Sequence, residues 1–193
     1  MFESIKGRIA DLSPAHAVIE TAGIGYYINI TLAGYTQLQN SEEGMLYLHL
    51  TIREDAHTLY GFTNKREREI FRLLISVSGV GPNTARMMLS SMQAGEVVKA
   101  ISEENVNSLK NIKGIGAKTA QRIIIDLKDK IGTTTKDENF ITTLDNTLRI
   151  QALSALEVLG FARSQANKVI DKLVVANPEA SVEEIIKQAL KVL

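Results

Sequence analysis

Two copies of a Gly-x-Gly segment are the residues in this sequence best suited to bind a ligand. The first copy, residues 78–85, reads Ser-Gly-Val-Gly-Pro-Asn-Thr-Ala, and the second, residues 113–120, reads Lys-Gly-Ile-Gly-Ala-Lys-Thr-Ala. Their glycines allow a tight reversal with a positive φ, while the aliphatic residue between them, Val80 or Ile115, turns inward. A helix is predicted to begin directly after the second glycine, with Pro82 in its first turn in the first copy.

A helix that begins at such a turn presents unpaired backbone N–H groups at the positive end of its dipole, where they can bind one phosphate. Main-chain contacts of this kind do not depend on base sequence. One copy alone is explained as well by a plain turn between helices, but two copies in register beside basic residues favour phosphate binding. The candidate DNA-binding residues are Gly79, Val80, Gly81, Asn83, Thr84, Lys113, Gly114, Ile115, Gly116, Lys118 and Thr119.

The charge of the chain changes sign along its length, although the total is zero. The 193 residues include 22 basic and 22 acidic side chains. Residues 1–64 carry a net charge of −4, residues 65–132 carry +5, and residues 133–193 carry −1. Both glycine segments, and the basic residues Arg86 and Arg122 beside them, lie in the positive region. An anionic partner is therefore expected to bind there.

The composition excludes several classes of protein. The sequence has no cysteine, which excludes disulfides, thiolate metal sites and a cysteine nucleophile and fits a reducing, cytoplasmic location. Its hydrophobic content of 45% excludes global disorder. No apolar run approaches the ~20 residues of a membrane span, and the first residues lack a secretion signal. Neither a membrane protein nor a secreted protein is expected.

Residues 1–64 predict a small all-β domain. Short segments rich in β-branched and aromatic residues are separated by turn signals at Ser13-Pro14, Ala22-Gly23 and Gly34. The predicted strands are residues 5–9, 17–20, 25–30, 46–52 and 58–62. Five strands in about 60 residues suit a closed barrel of the OB type.

The rest of the chain predicts helices. In residues 65–132 the spacing of apolar residues predicts buried helical faces, formed by Ile70, Phe71, Leu74 and Val77 and by Ala120, Ile123, Ile124, Leu127 and Ile131. A polar stretch that begins at Gly132 has no apolar period and predicts a flexible linker over residues 133–146.

Residues 147–193 predict three short helices. The first has an apolar stripe and ends at Gly160, the second begins after Ser164 as its N-cap, and a capping box at Ser181 opens the third. The stripe of the first helix consists of Leu148, Ala152, Ala155, Leu156 and Leu159. The predicted fold class is therefore α+β and multidomain: an N-terminal five-stranded OB-type β-barrel, a central all-α domain and a C-terminal three-helix domain.

Other chemical sites are not supported by the residues. Residues 114–119 resemble part of a P-loop, but no Gly-x4-Gly-Lys-Ser/Thr occurs, so nucleotide hydrolysis has no motif. The three histidines are scattered through the first region, and neither a metal nor a cofactor is expected. The tyrosines of that region could stack single-stranded bases, but its acidic charge favours core packing for them instead.

An acidic pair, Glu54 and Asp55, follows Arg53 at the predicted tip between the fourth and fifth strands. Alone, such a pair is ordinary solvated turn chemistry. In a DNA-binding protein, however, two carboxylates that face the nucleic acid repel its phosphates. They add no affinity and instead restrict where the strands can go.

This ordered set of motifs resembles the RuvA family, the DNA-binding subunits of bacterial complexes that migrate Holliday junctions. The resemblance covers essentially all 193 residues. It rests on both glycine segments and on Ile5–Ile9, Arg53–Asp55, Leu59–Phe62, Glu67-Arg68 and Leu156-x-x-Leu159-Gly-Phe161. It implies that the first domain forms a four-fold homotetramer, that two such tetramers can meet face to face as an octamer, and that the second domain holds two helix-hairpin-helix motifs.

The resemblance also implies a function without catalysis. The protein would hold a four-way junction through its backbone phosphates, with Glu54 and Asp55 as a central acidic pin. The third domain would bind the RuvB ATPase through Leu156, Leu159 and Phe161, and the RuvC resolvase would be a further partner. Asn83 and Ala117 stand where the family often has lysine, which reduces the expected salt dependence by roughly 0.9 log–log units per lost contact.

Two other classes of function stay open at this point. A helix-hairpin-helix glycosylase or nuclease would need a catalytic Lys/Asp pair or a carboxylate cluster near the glycine segments. Asp126 and Asp129 are the nearby candidates, and their spacing on a lysine-rich helix indicates ion pairing instead. A single-strand-binding OB protein is the other alternative, which competition between single strands and four-way junctions would distinguish.

Overall fold

The computed structural model describes residues 2–134, 144–177 and 180–193. It divides into two compact units, residues 1–135 and residues 136–193. In the described part of the chain, no helix has the length and apolar character needed to cross a membrane.

The first unit begins with a closed five-stranded barrel, as the sequence predicts. Its strands pair in the order β1-β2-β3-β5-β4, and every neighbouring pair is antiparallel except β3 with β5. Alternate side chains point inward and form the barrel core. The strands are β1 (Ser4–Leu12), β2 (His16–Thr21), β3 (Ile24–Ile30), β4 (Glu43–Ile52) and β5 (His57–Phe62).

A short helix that the sequence analysis missed connects β3 to β4. Helix α1 spans Leu32–Leu38, and its N-cap Thr31 accepts a hydrogen bond from the Gly34 N–H at 3.2 Å. The interpretation of Gly34 as a turn signal was therefore wrong, because this glycine is buried inside the helix. A helix of two turns has too few apolar positions to show a helical period, and the glycine disguises it further.

Five helices complete the first unit. They are α2 (Lys65–Ile75), α3 (Pro82–Ser91), α4 (Ala94–Ser102), α5 (Val106–Lys110) and α6 (Ala117–Thr134). The two apolar faces predicted for residues 65–132 are confirmed, since every residue named in them is buried in one shared hydrophobic core. This core also includes Tyr60 and Phe62 of β5, so the barrel and the helices pack together.

Phe71 on α2 lies at the centre of that packing. Its ring centroid is 4.9 Å from that of Phe62, 5.2 Å from that of Tyr60 and 5.4 Å from that of His49. The buried side chain of Arg68 adds a polar tie, because it donates to the backbone oxygen of Glu3 at 2.9 Å and to its carboxylate at 2.7 Å. These contacts fix the position of α2 against the barrel, and therefore also the position of the turn that follows α2.

The second unit is the predicted three-helix domain, with α7 (Leu144–Val158), α8 (Arg163–Ala176) and α9 (Val182–Ala189). Gly160 follows the end of α7 with a φ of +95°, and the Phe161 N–H donates to the Leu156 oxygen at 3.0 Å, so the predicted C′ glycine is confirmed. The capping box at Ser181 is confirmed as well. Ser164 was the wrong N-cap for α8, because extended backbone at Ala162 starts that helix two residues earlier.

The predicted linker, residues 133–146, coincides only partly with the described chain. Residues 135–143 lie outside the described residues. Its first two residues continue α6 and its last three belong to α7. Polar residues can extend a helix that neighbouring turns have already nucleated, which the absence of an apolar period does not reveal.

Candidate nucleic-acid interface

The two Gly-x-Gly turns have the same backbone hydrogen-bond pattern. The N–H of Val80 donates to the Val77 oxygen at 3.0 Å, and the N–H of Ile115 donates to the Ile112 oxygen at 3.0 Å. In each turn the first glycine has a positive φ. The side chains of Val77, Val80, Ile112 and Ile115 are all buried in the shared core. The repeat seen in the sequence is therefore a repeat of structure, with both turns held by one core.

The backbone beyond each turn presents unpaired N–H groups. Gly81 is the N-cap of α3, with an extended φ of −83°, and it is followed by Pro82 at the first helical position, as predicted. In the described chain, no backbone hydrogen bond uses the N–H groups of Gly81, Asn83 and Thr84 in the first hairpin. The same is true of Gly116, Ala117, Lys118 and Thr119 in the second. The oxygens of a bound phosphate can accept hydrogen bonds from these N–H groups.

The second glycine of each turn borders open space. A Cβ added at Gly81 or Gly116 would meet no heavy atom within 4 Å, and neither residue has a positive φ. Their lack of a side chain is therefore not required by the turn or by packing. It leaves the backbone open to close approach by a ligand.

The candidate side chains divide into exposed and buried sets. Val80 and Ile115 are buried, so their side chains anchor the turns instead of facing a ligand. Thr84 and Thr119 are half-buried in the first turns of α3 and α6. The exposed candidates are Gly79, Gly81, Asn83, Lys113, Gly114, Gly116 and Lys118.

Side-chain charge is concentrated on the second hairpin. Lys113 and Lys118 are exposed, and in the described chain neither ammonium group has an ion-pair or hydrogen-bond partner. The corresponding residues of the first hairpin are the neutral Ser78 and Asn83. Arg86, which the sequence places beside the first hairpin, instead donates to the backbone oxygens of Ala15 and Ile30, at 2.9 and 3.2 Å.

A polar cleft that the sequence did not reveal separates the first hairpin from the acidic turn. Its volume is about 210 Å³. The hydroxyl of Tyr60, whose ring is buried, donates to Asn83 Oδ1 across it at 3.2 Å. The cleft is lined by Asn29, Thr51, Arg53, Asp55, Ala56, Thr58, Tyr60 and Asn83. Four of them, Arg53, Asp55, Ala56 and Asn83, lie outside the strands. The others are strand residues whose alternation indicates only a barrel wall, and no sequence signal joins them.

Glu54 and Asp55 form the tip of a tight hairpin between β4 and β5. The turn is closed by the Arg53 N–H, which donates to the Ala56 oxygen at 2.9 Å. Residues 53–57 are all exposed. The strand pairing continues to Ile52 and His57, so the two carboxylates sit directly at the end of a rigid ribbon. They are held away from the barrel core and face solvent.

The residues predicted to bind a partner in the second unit are not equivalent. Leu156 is 0% exposed because it packs in the core of the three helices, so its side chain is not part of a docking surface. Phe161 is half-buried against the same core. Leu159 is 57% exposed and lies beside Val158, which is 85% exposed. These two residues form an apolar patch, which also lines a shallow cavity of about 630 Å³ with Gln151, Ser154 and Ala155.

Some of the residues considered for other functions have partners within the protein. Asp126 lies 3.7 Å from the Arg122 guanidinium, which agrees with the ion pairing expected for that helix. Within the described residues, no group of three or more His, Asp or Glu side chains is arranged to hold a metal ion. Of the tyrosines considered for base stacking, Tyr60 is buried, and the exposed Tyr27 already stacks on His16, with ring centroids 4.5 Å apart.

Three family models match the chain. Residues 1–61 match the RuvA N terminal domain, residues 71–129 match a SAM-like helix-hairpin-helix tandem, and residues 148–193 match the RuvA C-terminal domain. The tandem model covers both Gly-x-Gly hairpins. The matched ranges thus include nearly all of the barrel, the region of unpaired N–H groups and most of the three-helix unit.

Curated relatives match over almost their full length. A protein of Christiangramia forsetii is 54% identical over 193 residues, which is 100% of both chains. A protein of Flavobacterium psychrophilum is 49% identical over 191 residues, 99% of both, and one of Bacteroides fragilis is 48% identical over 199 residues, again 99% of both. Each is named Holliday junction branch migration complex subunit RuvA. The chain therefore belongs to the RuvA family.

Proposed function

We propose that this chain is the non-catalytic DNA-binding subunit of a branch-migration complex, which binds four-way junctions through backbone phosphates and recruits the RuvB ATPase. The relatives carry the name of such a subunit. The observation that carries the proposal is the pair of hairpins with one backbone pattern and unpaired N–H groups. Recombination and DNA repair are the processes in which such a subunit acts.

Phosphate recognition follows from the chemistry of the two hairpins. Each places several N–H donors and a threonine hydroxyl at the positive end of a helix, beside a glycine that leaves room for an anion. None of these groups reads a base edge, so the hairpins select backbone geometry and not sequence. Two hairpins on one core can hold the two strands of one duplex arm.

The acidic turn repels the backbone phosphates of DNA. Its two carboxylates are exposed at the end of a closed ribbon, next to a surface that otherwise attracts anions. Each carboxylate repels a backbone that crosses it, so the turn restricts the paths that strands take near the crossover. Glu54 and Asp55 are thus proposed as the pin of the junction site.

A homotetramer would bring together the hairpins needed to bind all four arms of a junction. A four-way junction has four equivalent arms, and a four-fold homotetramer would present one pair of hairpins to each arm. Two tetramers facing each other would enclose the junction as an octamer. We assign the tetramer contacts to the barrel domain and RuvB binding to the three-helix unit through Leu159, Phe161 and the neighbouring Val158. RuvC resolvase is proposed to act on the same junction, in the cytoplasm.

A gel-shift comparison tests the function. The full-length protein is titrated against a four-way junction and against a linear duplex with the sequence of two arms, and the mass of each complex is measured. We expect a strong preference for the junction and a mass of one or two tetramers. Equal affinity for both DNAs would contradict the proposal, and cleavage of either DNA in Mg²⁺ would indicate a nuclease instead.

The pin is tested by neutralising it. The double variant Glu54→Gln and Asp55→Asn removes two negative charges from an exposed turn without changing its size. We expect tighter junction binding, because repulsion of the phosphates is lost, and altered branch migration with RuvB and ATP. Weaker binding by the folded variant would show that the two carboxylates do not face the DNA.

A further inference from the structure

Tyr60 and Asn83 form a hydrogen bond between the barrel and the first hairpin. The Tyr60 hydroxyl donates to Asn83 Oδ1 at 3.2 Å. Tyr60 is only 4% exposed, and its ring packs against Phe71 with centroids 5.2 Å apart. Asn83 is the second residue of α3, two positions beyond Gly81. One partner is thus fixed in the core, and the other lies among the proposed phosphate donors.

The same pair lies between the hairpin and the acidic turn. Tyr60 lies on β5, five residues after Asp55 in the turn, and Asp55, Tyr60 and Asn83 line one cleft. One turn further along α3, Arg86 donates to the backbone oxygens of Ala15 and Ile30. The first hairpin is therefore tied to the barrel by two side chains of its own helix.

Among the described residues, the second hairpin has no side-chain hydrogen bond to the barrel of this kind. The residue that corresponds to Asn83 in the repeat is Lys118, which is exposed and whose ammonium group has no hydrogen-bond partner in the described chain. The position of Arg86 is taken by Gln121, which is also exposed. The two hairpins thus share a backbone pattern but differ at these two side-chain positions. In the first hairpin both side chains bond to the barrel, and in the second both are exposed to solvent.

We propose that Tyr60 and Asn83 are a positioning pair, which fixes the first hairpin relative to the acidic turn so that a junction arm and the crossover are engaged together. This inference rests on the proposed junction-binding function and assigns the Asn83 side chain to the protein, while its backbone N–H stays available to DNA. An arm of linear duplex has no crossover to align with the turn. The pair is therefore a determinant of junction preference and not of general affinity.

The Tyr60 hydroxyl remains protonated and can therefore keep donating its hydrogen bond to Asn83. Burial raises the pKa of the Tyr60 hydroxyl above its usual value, although nearby Arg86 and Arg53 offset part of this effect. The hydroxyl therefore keeps its proton and acts as a donor. Asn83 Oδ1 is the acceptor, and the phenol would otherwise lack a protein partner in the described chain. Rotation of Asn83 toward DNA would break this bond.

The test compares Tyr60→Phe, Asn83→Ala and the double variant as full-length proteins. Dissociation constants are measured for a four-way junction and for a linear duplex, and thermal unfolding is followed for each variant. Tyr35→Phe is the matched control, because that half-buried tyrosine of α1 has no hydrogen bond through its hydroxyl in the described chain. We expect each single variant to weaken junction binding by about three- to tenfold, the range of one net hydrogen bond.

Duplex affinity and the double variant distinguish a positioning role of the pair from direct contact of Asn83 with DNA. Duplex affinity is expected to change less than twofold, and the double variant is expected to be no weaker than either single variant, since all three lose the same bond. If Asn83→Ala weakens both DNAs while Tyr60→Phe changes neither, Asn83 contacts DNA directly and the inference is wrong. If the unmodified protein shows no junction preference, the proposed function itself fails.

Discussion

Gly79 and Gly114 have almost the same backbone φ, +94° and +90°, although they lie in different turns 35 residues apart. Residues with a side chain rarely adopt this conformation, so each turn depends on its first glycine for its shape. The second glycines, Gly81 and Gly116, have no such requirement. We therefore propose that the first glycine gives each turn its shape and the second leaves room for a ligand, so the two roles can be tested separately.

The double variant Gly81→Asp and Gly116→Asp is expected to abolish junction binding. Each aspartate places a negative charge next to the N–H groups where a phosphate would bind, and the open space around both positions accepts the side chain without a clash. Gel shifts test binding, while circular dichroism and the measured mass test the fold and assembly. Normal binding by a folded, assembled variant would contradict the hairpin model.

Alanine at the same glycines provides the matched controls. Gly81→Ala with Gly116→Ala adds two methyl groups in open space, and we expect folding to be unchanged and binding to fall less than with aspartate. Gly79→Ala instead forces a side chain into a positive φ, and it is expected to lower the free energy of unfolding by about 1 kcal/mol. Chemical denaturation measures this difference. Equal loss of stability at Gly79 and Gly81 would refute the assignment of shape to the first glycine.

Lys113→Ala and Lys118→Ala are each expected to flatten the salt dependence of junction binding. Each free ammonium that contacts a phosphate contributes roughly 0.9 to the slope of log affinity against log salt. Binding titrations at several salt concentrations give the slope. Lys99→Ala is the control, because that lysine lies on α4 near Glu103, with 3.9 Å between their charged groups. A slope that is unchanged in both hairpin variants would exclude these lysines as phosphate contacts.

Leu159→Asp is expected to abolish stimulation of RuvB while leaving junction binding intact. Leu159 and Val158 are exposed on the second unit, so a charge there disrupts an apolar interface without disturbing the core. Val175→Asp is the matched control, because Val175 is 82% exposed on α8. ATP hydrolysis and branch migration with RuvB measure the effect. Full stimulation by Leu159→Asp would require a different docking surface.

Glu67→Gln is expected to stabilise the protein at neutral pH. Burial raises the pKa of Glu67 above 4.5, and the 2.7 Å hydrogen bond from Thr31 offsets only part of this effect. The folded state then binds this proton more tightly than the unfolded state, so stability falls as the pH rises from 4.5 through the raised value. Glutamine keeps an acceptor for Thr31 and does not ionise.

The pH profile of the free energy of unfolding checks this prediction. The advantage of Glu67→Gln should be present above the raised pKa, shrink as the pH falls through that value, and be lost below 4.5, where the carboxyl is mostly neutral in both states. Denaturant titrations at several pH values give the two curves. An advantage that is constant across pH would mean that ionisation of Glu67 is not involved.

Many features were predictable because they depend on neighbours in the chain. The five strands, the buried faces of α2 and α6, the turn glycines and the capping box at Ser181 all follow from local pattern and backbone preference. The failures were local as well. Helix α1 is too short to show a period, and Ser164 resembles an N-cap although backbone geometry starts α8 at Ala162.

The sequence by itself determined that the chain contains two equivalent turns able to present N–H groups, because a turn is built from consecutive residues. Only the tertiary structure decided how side chains around those turns are used. It directs Asn83 to Tyr60 and Arg86 to the barrel, and it buries Leu156 in the core. Such contacts join residues far apart in the chain, so they depend on how the elements pack and leave no period or spacing in the sequence.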